Sequence, residues 1–207
     1  MIVDALERSW RVWAGFGAEL DDSQWQRPTR LPGWTIKGVY AHHSPFPSAT
    51  LAGIRAPDIT DPITHDSAGA LLAHMQQPGG LAEQAADVLR DTAAERATEA
   101  TPAELVAEFT GTADLVIAEL RAADLDRRVL YGGFAVITAR EALRIFVLEA
   151  VVHYFDMAAA LEREQPGPMA GAPVRETTNL LAETADPVAL IHAATGRTAE
   201  AVFPVLR

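Results

Sequence analysis

An all-α helix bundle with a polar centre is the architecture that this 207-residue chain predicts. Three observations carry the prediction. Apolar residues recur at three- and four-residue intervals through several long segments, and strand signals are few. The most apolar segment, Ile145 to Leu161, also holds its strongly ionisable residues on a single stripe.

The first helix spans Ile2 to Leu20, where Ile2, Leu6, Trp10, Trp13, Phe16 and Leu20 make one apolar face. Trp10 and Trp13 read as packing residues. A loop with Pro28, Pro32 and Gly33 follows, and Trp34, anchoring the helix start after the Pro-Gly turn, opens a second helical stretch, WTIKGVYAHH. Ser44-Pro45-Phe46-Pro47 should end or kink that stretch, because Pro45 lacks the N–H that would bond the Ala41 carbonyl. Residues 55–66 read as loop. The Ala-rich segment from Ala68 to Thr98 reads as helix broken at Pro78-Gly79-Gly80.

Thr101-Pro102-Ala103-Glu104 is a helix start with a capping box and proline at the first helical position, and its helix runs to about Ala123. Tyr131-Gly132-Gly133-Phe134 reads as a turn. Thr138 to Glu141 is a second capping box and launches the long apolar helix, which Pro166-Gly167-Pro168 terminates. A short tail follows, with a helix from Asp186-Pro187 to Thr195 stopped by Gly196. The expected organisation is a bundle over residues 1–165, with residues 166–207 as a short C-terminal extension packed on it.

Composition narrows the function. The hydrophobic content of 49% is that of a globular protein, and no apolar stretch is long and charge-free enough for a bilayer. The N-terminus lacks a signal pattern, so a cytoplasmic protein is expected. Seventeen basic against 28 acidic residues give a net charge of −11, which argues against a nucleic-acid partner. Cysteine is absent, which excludes disulfides, cysteine zinc sites and a cysteine nucleophile; thiol chemistry would need a thiol from outside.

Glu149, His153 and Asp156 interrupt the apolar helix at spacings of four and three. Polar groups stacked in a core need a common partner, since an unpaired buried carboxylate costs several kcal/mol or more. Glu149 and His153 can reach one metal ion from a single helix face; the plain alternative is a Glu–His hydrogen bond that fixes helix packing. Of the six histidines, at positions 42, 43, 65, 74, 153 and 192, His42 and His43 are the natural candidates for a third ligand. Periodicity puts His43 on the apolar face with Ile36 and Tyr40. Asp156 reads as a residue that orients a ligand or caps a neighbouring helix, and Tyr154 as core. Two imidazoles and a carboxylate suit zinc and also the facial triad of non-haem iron.

PGWTIKGVYAH, followed much later by E-x-x-x-H-x-x-D in an apolar helix, resembles the DinB-like metalloenzymes. Within them it is most similar to the mycothiol-dependent maleylpyruvate isomerase family. The resemblance extends from the first helix to about Leu161. It implies a four-helix bundle holding a divalent metal, usually zinc, with His42, Glu149 and His153 as ligands. His43 and Asp156 are then the candidate catalytic residues beside the metal. It further implies mycothiol as a thiol cosubstrate whose thiolate adds to a small electrophilic metabolite, in a transferase or isomerase reaction. The partner is thus a small molecule, with neither nucleic acid nor membrane; a homodimer is compatible with the sequence.

Two departures stand out. Pro45 and Pro47 interrupt a helix that relatives continue past the histidine, so the pocket wall is expected to be remodelled. The segment after Pro166 is short beside the C-terminal domain of the full isomerases, so an electrophile other than maleylpyruvate is expected. Arg197 and Arg207 are the nearest substitutes for that domain's basic groups. The alternatives are a thiol-independent metal hydrolase or lyase, and a lapsed metal site in a small-molecule binding protein.

Overall fold

The computed structural model describes residues 1–197 and 205. Helix α1 (Ile2–Glu19) leads into the short α2 (Asp22–Trp25), then α3 (Ile36–His43) and α4 (Phe46–Arg55). Next come α5 (Ala68–Met75), α6 (Leu81–Glu99) and α7 (Pro102–Ala122). A hairpin of β1 (Arg128–Tyr131) and β2 (Ala135–Thr138) precedes α8 (Ala139–Ala160), and α9 (Ala172–Thr184) and α10 (Pro187–Ala194) complete the order. Among the described residues the all-α expectation holds apart from that hairpin. No helix among the described residues is long and apolar enough to cross a membrane.

The core forms where the apolar face of α1 meets α7 and α8, with α3 against α6 and α8, and α4 against α7. Trp10, Trp13, Tyr40, Phe109 and Tyr154 are all buried there. The Trp13 indole N–H donates to the Ala150 carbonyl at 2.8 Å, tying α1 to α8. Tyr40 donates its hydroxyl to the Trp13 carbonyl at 3.3 Å. A Cβ at Gly17 would come within 2.7 Å of that hydroxyl, so this helix crossing needs glycine at 17.

The second helical stretch begins later than expected. Thr35 is its N-cap, accepting from the Gly38 N–H at 3.1 Å, and Trp34 belongs to the preceding loop. The proline break is real, and it separates α3 from α4 at Ser44-Pro45. The Ala41 carbonyl, left without a helical donor, accepts from Arg96 Nε at 3.2 Å and Ser44 Oγ at 3.3 Å. Glu108 holds both donors, with Oε2 at 2.6 Å from Arg96 and 2.7 Å from Ser44. A side-chain network has taken over from the missing backbone hydrogen bond.

Three sequence expectations need correction. The strands pair antiparallel over only four residues each, from Arg128 opposite Thr138 to Tyr131 opposite Ala135. Such short strands give too little alternation to be read as sheet. The capping box at Thr138 is half formed: Thr138 accepts from the Glu141 N–H, but the Glu141 carboxylate accepts from Ala68 N at 2.7 Å, at the start of α5. Finally, the tail holds a further helix, α9, which packs along α8, α5 and α1. Arg144 of α8 joins it through Glu176 (2.7 Å) and Glu183 (2.6 Å), and Leu180 is buried with Ile145 and Leu148. The α10 expectation is met, with Asp186 capping Ala189 N at 2.7 Å.

Candidate metal centre

The loop before α3 has a hydrogen-bonded shape of its own. Thr29 N–H donates to the Trp34 carbonyl at 2.8 Å, Trp34 N–H to Leu31 at 3.0 Å, and Ile36 N–H to Arg27 at 2.9 Å. Gly33 takes a φ of +83°, which glycine adopts at no steric cost. This turn presents Arg30 and Trp34 to one side of α8. The Ser44-Pro45 break places His42 in the last turn of α3, and Phe46 then opens α4 beside it.

From these two elements three donors converge. His153 Nε2 lies 3.2 Å and His42 Nε2 3.8 Å from Glu149 Oε2. One ligand atom from each of His42, Glu149 and His153 falls within 4.8 Å of the others. Ligands about 2.0–2.1 Å from a tetrahedral ion stand about 3.4 Å from each other, so this triangle fits a metal with little movement. Three protein donors on two helices would leave one position of a tetrahedral ion open.

Asp156 lies behind this triangle. Its Oδ2 is 3.2 Å from His153 Nδ1, and its Oδ1 accepts from Arg30 Nε at 2.6 Å. The Asp156 side chain is 2% exposed, whereas that of Arg30 is 59% exposed. The buried carboxylate therefore has a cation at the surface on one oxygen and an imidazole on the other. Sequence reasoning missed Arg30. The signal available was the demand itself: a carboxylate on an apolar helix needs a cation, and the PTRLPGW turn carries one.

Two opposing effects act on the charges. Burial works against ionisation of Glu149, yet hydrogen bonds from His153 and His42 outweigh it and hold the carboxyl well below its usual range. Burial likewise disfavours the His153 imidazolium, but Asp156 and Glu149 push its pKa up to about 9. Without metal, the imidazole is thus a cation clamped between two carboxylates.

His43 lies outside the triangle. It is fully buried, stacks on Trp13 at 4.2 Å between ring centroids, and neither ring nitrogen has a hydrogen-bond partner among the described residues. Burial, with the neighbouring His153 and His42, keeps it well below the usual histidine pKa and hence neutral. The expectation that His43 acts catalytically is at odds with this position, because a side chain sealed from solvent cannot touch a substrate.

Aromatic rings surround the donors. Trp34 stacks near His153 at 6.4 Å and meets His42 edge-on at 5.6 Å, so it does more than anchor the helix start. Phe46 lies 5.6 Å from His42 and 5.4 Å from Phe146, which in turn lies 6.1 Å from Tyr131. Burial raises the Tyr131 pKa, and Glu149 raises it further. His65 and His74 pair with each other at 2.8 Å, away from the cluster. Arg197 is exposed and, among the described residues, its guanidinium reaches only the Thr195 carbonyl at 3.4 Å, while Arg207 lies outside the described residues.

Residues 6–158 match the family model for the mycothiol maleylpyruvate isomerase N-terminal domain. The chain belongs to that family. No curated protein and no solved structure matches it. The match to this isomerase domain runs from α1 into the last turn of α8, so it takes in His42, Glu149, His153, Asp156 and Arg30. Helices α9 and α10 fall beyond it. The DinB-like assignment made from the two motifs thus rests on most of the chain.

Proposed function

We propose that this member of the mycothiol maleylpyruvate isomerase N-terminal domain family is a metal- and mycothiol-dependent transferase or isomerase acting on a small electrophilic metabolite. The observation that carries the proposal is the convergence of His42, Glu149 and His153 within 4.8 Å, from two helices, in a chain without cysteine. The donor set of two imidazoles and one carboxylate suits zinc. When bound, a divalent metal supplies a Lewis acid that lowers the pKa of a thiol at its open position, so that a thiolate is present at neutral pH.

The chain's own residues do the rest. Asp156 accepts from His153 Nδ1, which keeps Nε2 free for the metal and fixes the ring plane. Arg30 pairs with the other oxygen of Asp156 at 2.6 Å and so holds that carboxylate in place behind His153. Trp34, Phe46 and Phe146 wall the donors with apolar surface, which limits water and favours an electrophile with an apolar or planar body. His43 packs beneath Trp13 and has no part in the reaction. We take residues 1–165 as the metal-holding four-helix unit and residues 166–207 as an extension that covers α8, in a cytoplasmic protein.

Metal content by plasma mass spectrometry tests the site. Near-stoichiometric zinc that is lost in His42→Ala and Glu149→Ala, and kept in His43→Ala, is the expected result. Saturable, chelator-sensitive mycothiol binding then separates the thiol enzyme from a metal hydrolase, which would lose activity with chelator but ignore the thiol. Wild-type protein that stays metal-free after incubation with zinc would sink the mechanism.

A further inference from the structure

A second site lies along α1. A groove of about 810 Å³ runs over the outer stripe of that helix, bounded by Tyr154 of α8 and by the chain from Arg163 to Arg175. It shares no residue with the His42–Glu149–His153 cluster. Its floor is open because position 15 is glycine: no heavy atom lies within 4 Å of where a Cβ would stand.

The charges of the groove do not cancel. Its three carboxylates are all occupied: Asp4 by the N-terminal amine at 3.0 Å, Glu7 by Arg11 at 2.6 Å, and Glu19 by Arg163 at 3.4 Å. Two of its four guanidinium groups are not matched in this way. Among the described residues Arg8 reaches only the Pro168 carbonyl at 3.2 Å, and Arg175 has no ion pair. Unmatched arginines in a cleft are unexpected in a chain with a net charge of −11.

Two sets of unused donors face the same space. Helix α9 begins at the groove with Gly171, whose cap position carries no side-chain hydrogen bond; the N–H of Ala172, which lines the groove, and that of Val174 in the same first turn have no partner among the described residues. The stronger observation is Tyr154. Its side chain is 2% exposed, its ring packs edge-on against Phe16 at 5.5 Å, and it lines the groove. Among the described residues its hydroxyl has no hydrogen-bond partner, and it is open to the groove rather than sealed in the core. A ligand in the groove would supply that partner.

We propose that this groove binds a small organic anion, a carboxylate or a phosphate ester. Arg8, Arg175 and the free N–H groups of α9 hold its oxyanion, and Tyr154 donates to its polar body. Arginine is suited to this task because its planar fork meets both carboxylate and phosphate oxygens two at a time. The site is independent of the metal reading and stands if that reading fails.

The test is an amide NMR titration of the full-length protein with inorganic phosphate and, separately, with succinate. Saturable shifts at Ala172, Val174 and Arg175 in about the millimolar range are expected, weakened about tenfold by Arg175→Gln or Arg8→Gln. Tyr154→Phe should weaken binding several-fold with zinc content unchanged; if that variant misfolds, the two arginine variants, both at exposed positions, decide. Tighter binding of phosphate or of succinate identifies the ligand class. Absence of saturable shifts with both anions, or shifts untouched by both arginine variants, overturns the proposal.

Discussion

His153 Nδ1 and Asp156 Oδ2 lie 3.2 Å apart on one helix, and the same carboxylate takes Arg30 Nε on its other oxygen at 2.6 Å. A histidine with its Nδ1 proton fixed in this way offers Nε2 in one orientation. Asp156→Asn should therefore lower zinc affinity about 10–100-fold, the range typical when such an orienting carboxylate is lost. Arg30→Ala should act in the same direction and more weakly, because water can enter where the exposed Arg30 side chain lay and solvate Asp156 Oδ1. Competition with a fluorescent zinc chelator measures both, and equal affinity in Asp156→Asn and wild type would show that the carboxylate does not orient the ligand.

A proton would compete with a metal for the same imidazole. The His153 pKa is raised from 6.5 to about 9, so its contribution to folding is full below pH 6.5 and is lost as pH rises through 9. The Glu149 carboxyl is depressed, so its contribution is full above 4.5 and is lost as pH falls. Metal-free protein should thus lose stability between pH 6.5 and 9. Zinc must displace the His153 proton over that window, so its affinity should rise by up to about tenfold per pH unit and level off near pH 9. Chelator competition at pH 6, 7 and 8, beside chemical denaturation of the metal-free protein, gives both slopes.

The helices were legible because apolar spacing and capping residues are local: the Thr101 and Asp186 caps and the Pro45 break lie within a few residues of what they control. The α8 stripe was legible because ionisable residues are conspicuous in an apolar run. What escaped depends on distant partners. Arg30 and Asp156 stand 126 residues apart, and nothing near Arg30 announces a buried carboxylate. Glu141 fitted a capping box by spacing, yet Ala68 competes for its carboxylate. Helix α9 hides its face behind Pro173, Thr177 and Leu180, a mixture too polar to read as an apolar stripe.

The proline break also makes a stability prediction. Arg96 and Ser44 donate to an Ala41 carbonyl that Pro45 cannot serve. Arg96→Ala removes one donor and strands Glu108 beside Ser44, and should cost about 1–3 kcal/mol, the penalty of an under-satisfied buried acceptor. In a Pro45→Ala background the backbone N–H can return to Ala41, so the same substitution should cost less. A double-mutant cycle by urea denaturation reads the difference. Additive effects would mean that Arg96 acts through Glu108 alone.

His43 makes the last and sharpest case, because its burial opposes its chemistry. Among the described residues both ring nitrogens are without partners, and the ring lies between Trp13 at 4.2 Å and Phe46 at 4.2 Å. Burial first, then His153 and His42, depress its pKa, while Glu149 acts the other way. The stability it allows is therefore full above its unfolded pKa of 6.5 and is lost as pH falls, with a slope of up to about 1.4 kcal/mol per pH unit. His43→Phe keeps a planar ring in the same stack and removes the titration together with two unsatisfied nitrogens. The variant should be more stable than wild type at pH 5, with the gain shrinking by pH 8 and zinc content unchanged. Denaturant midpoints at the two pH values measure it. A variant that loses zinc would put His43 back among the ligands, since a ring that only packs has no reason to affect the metal.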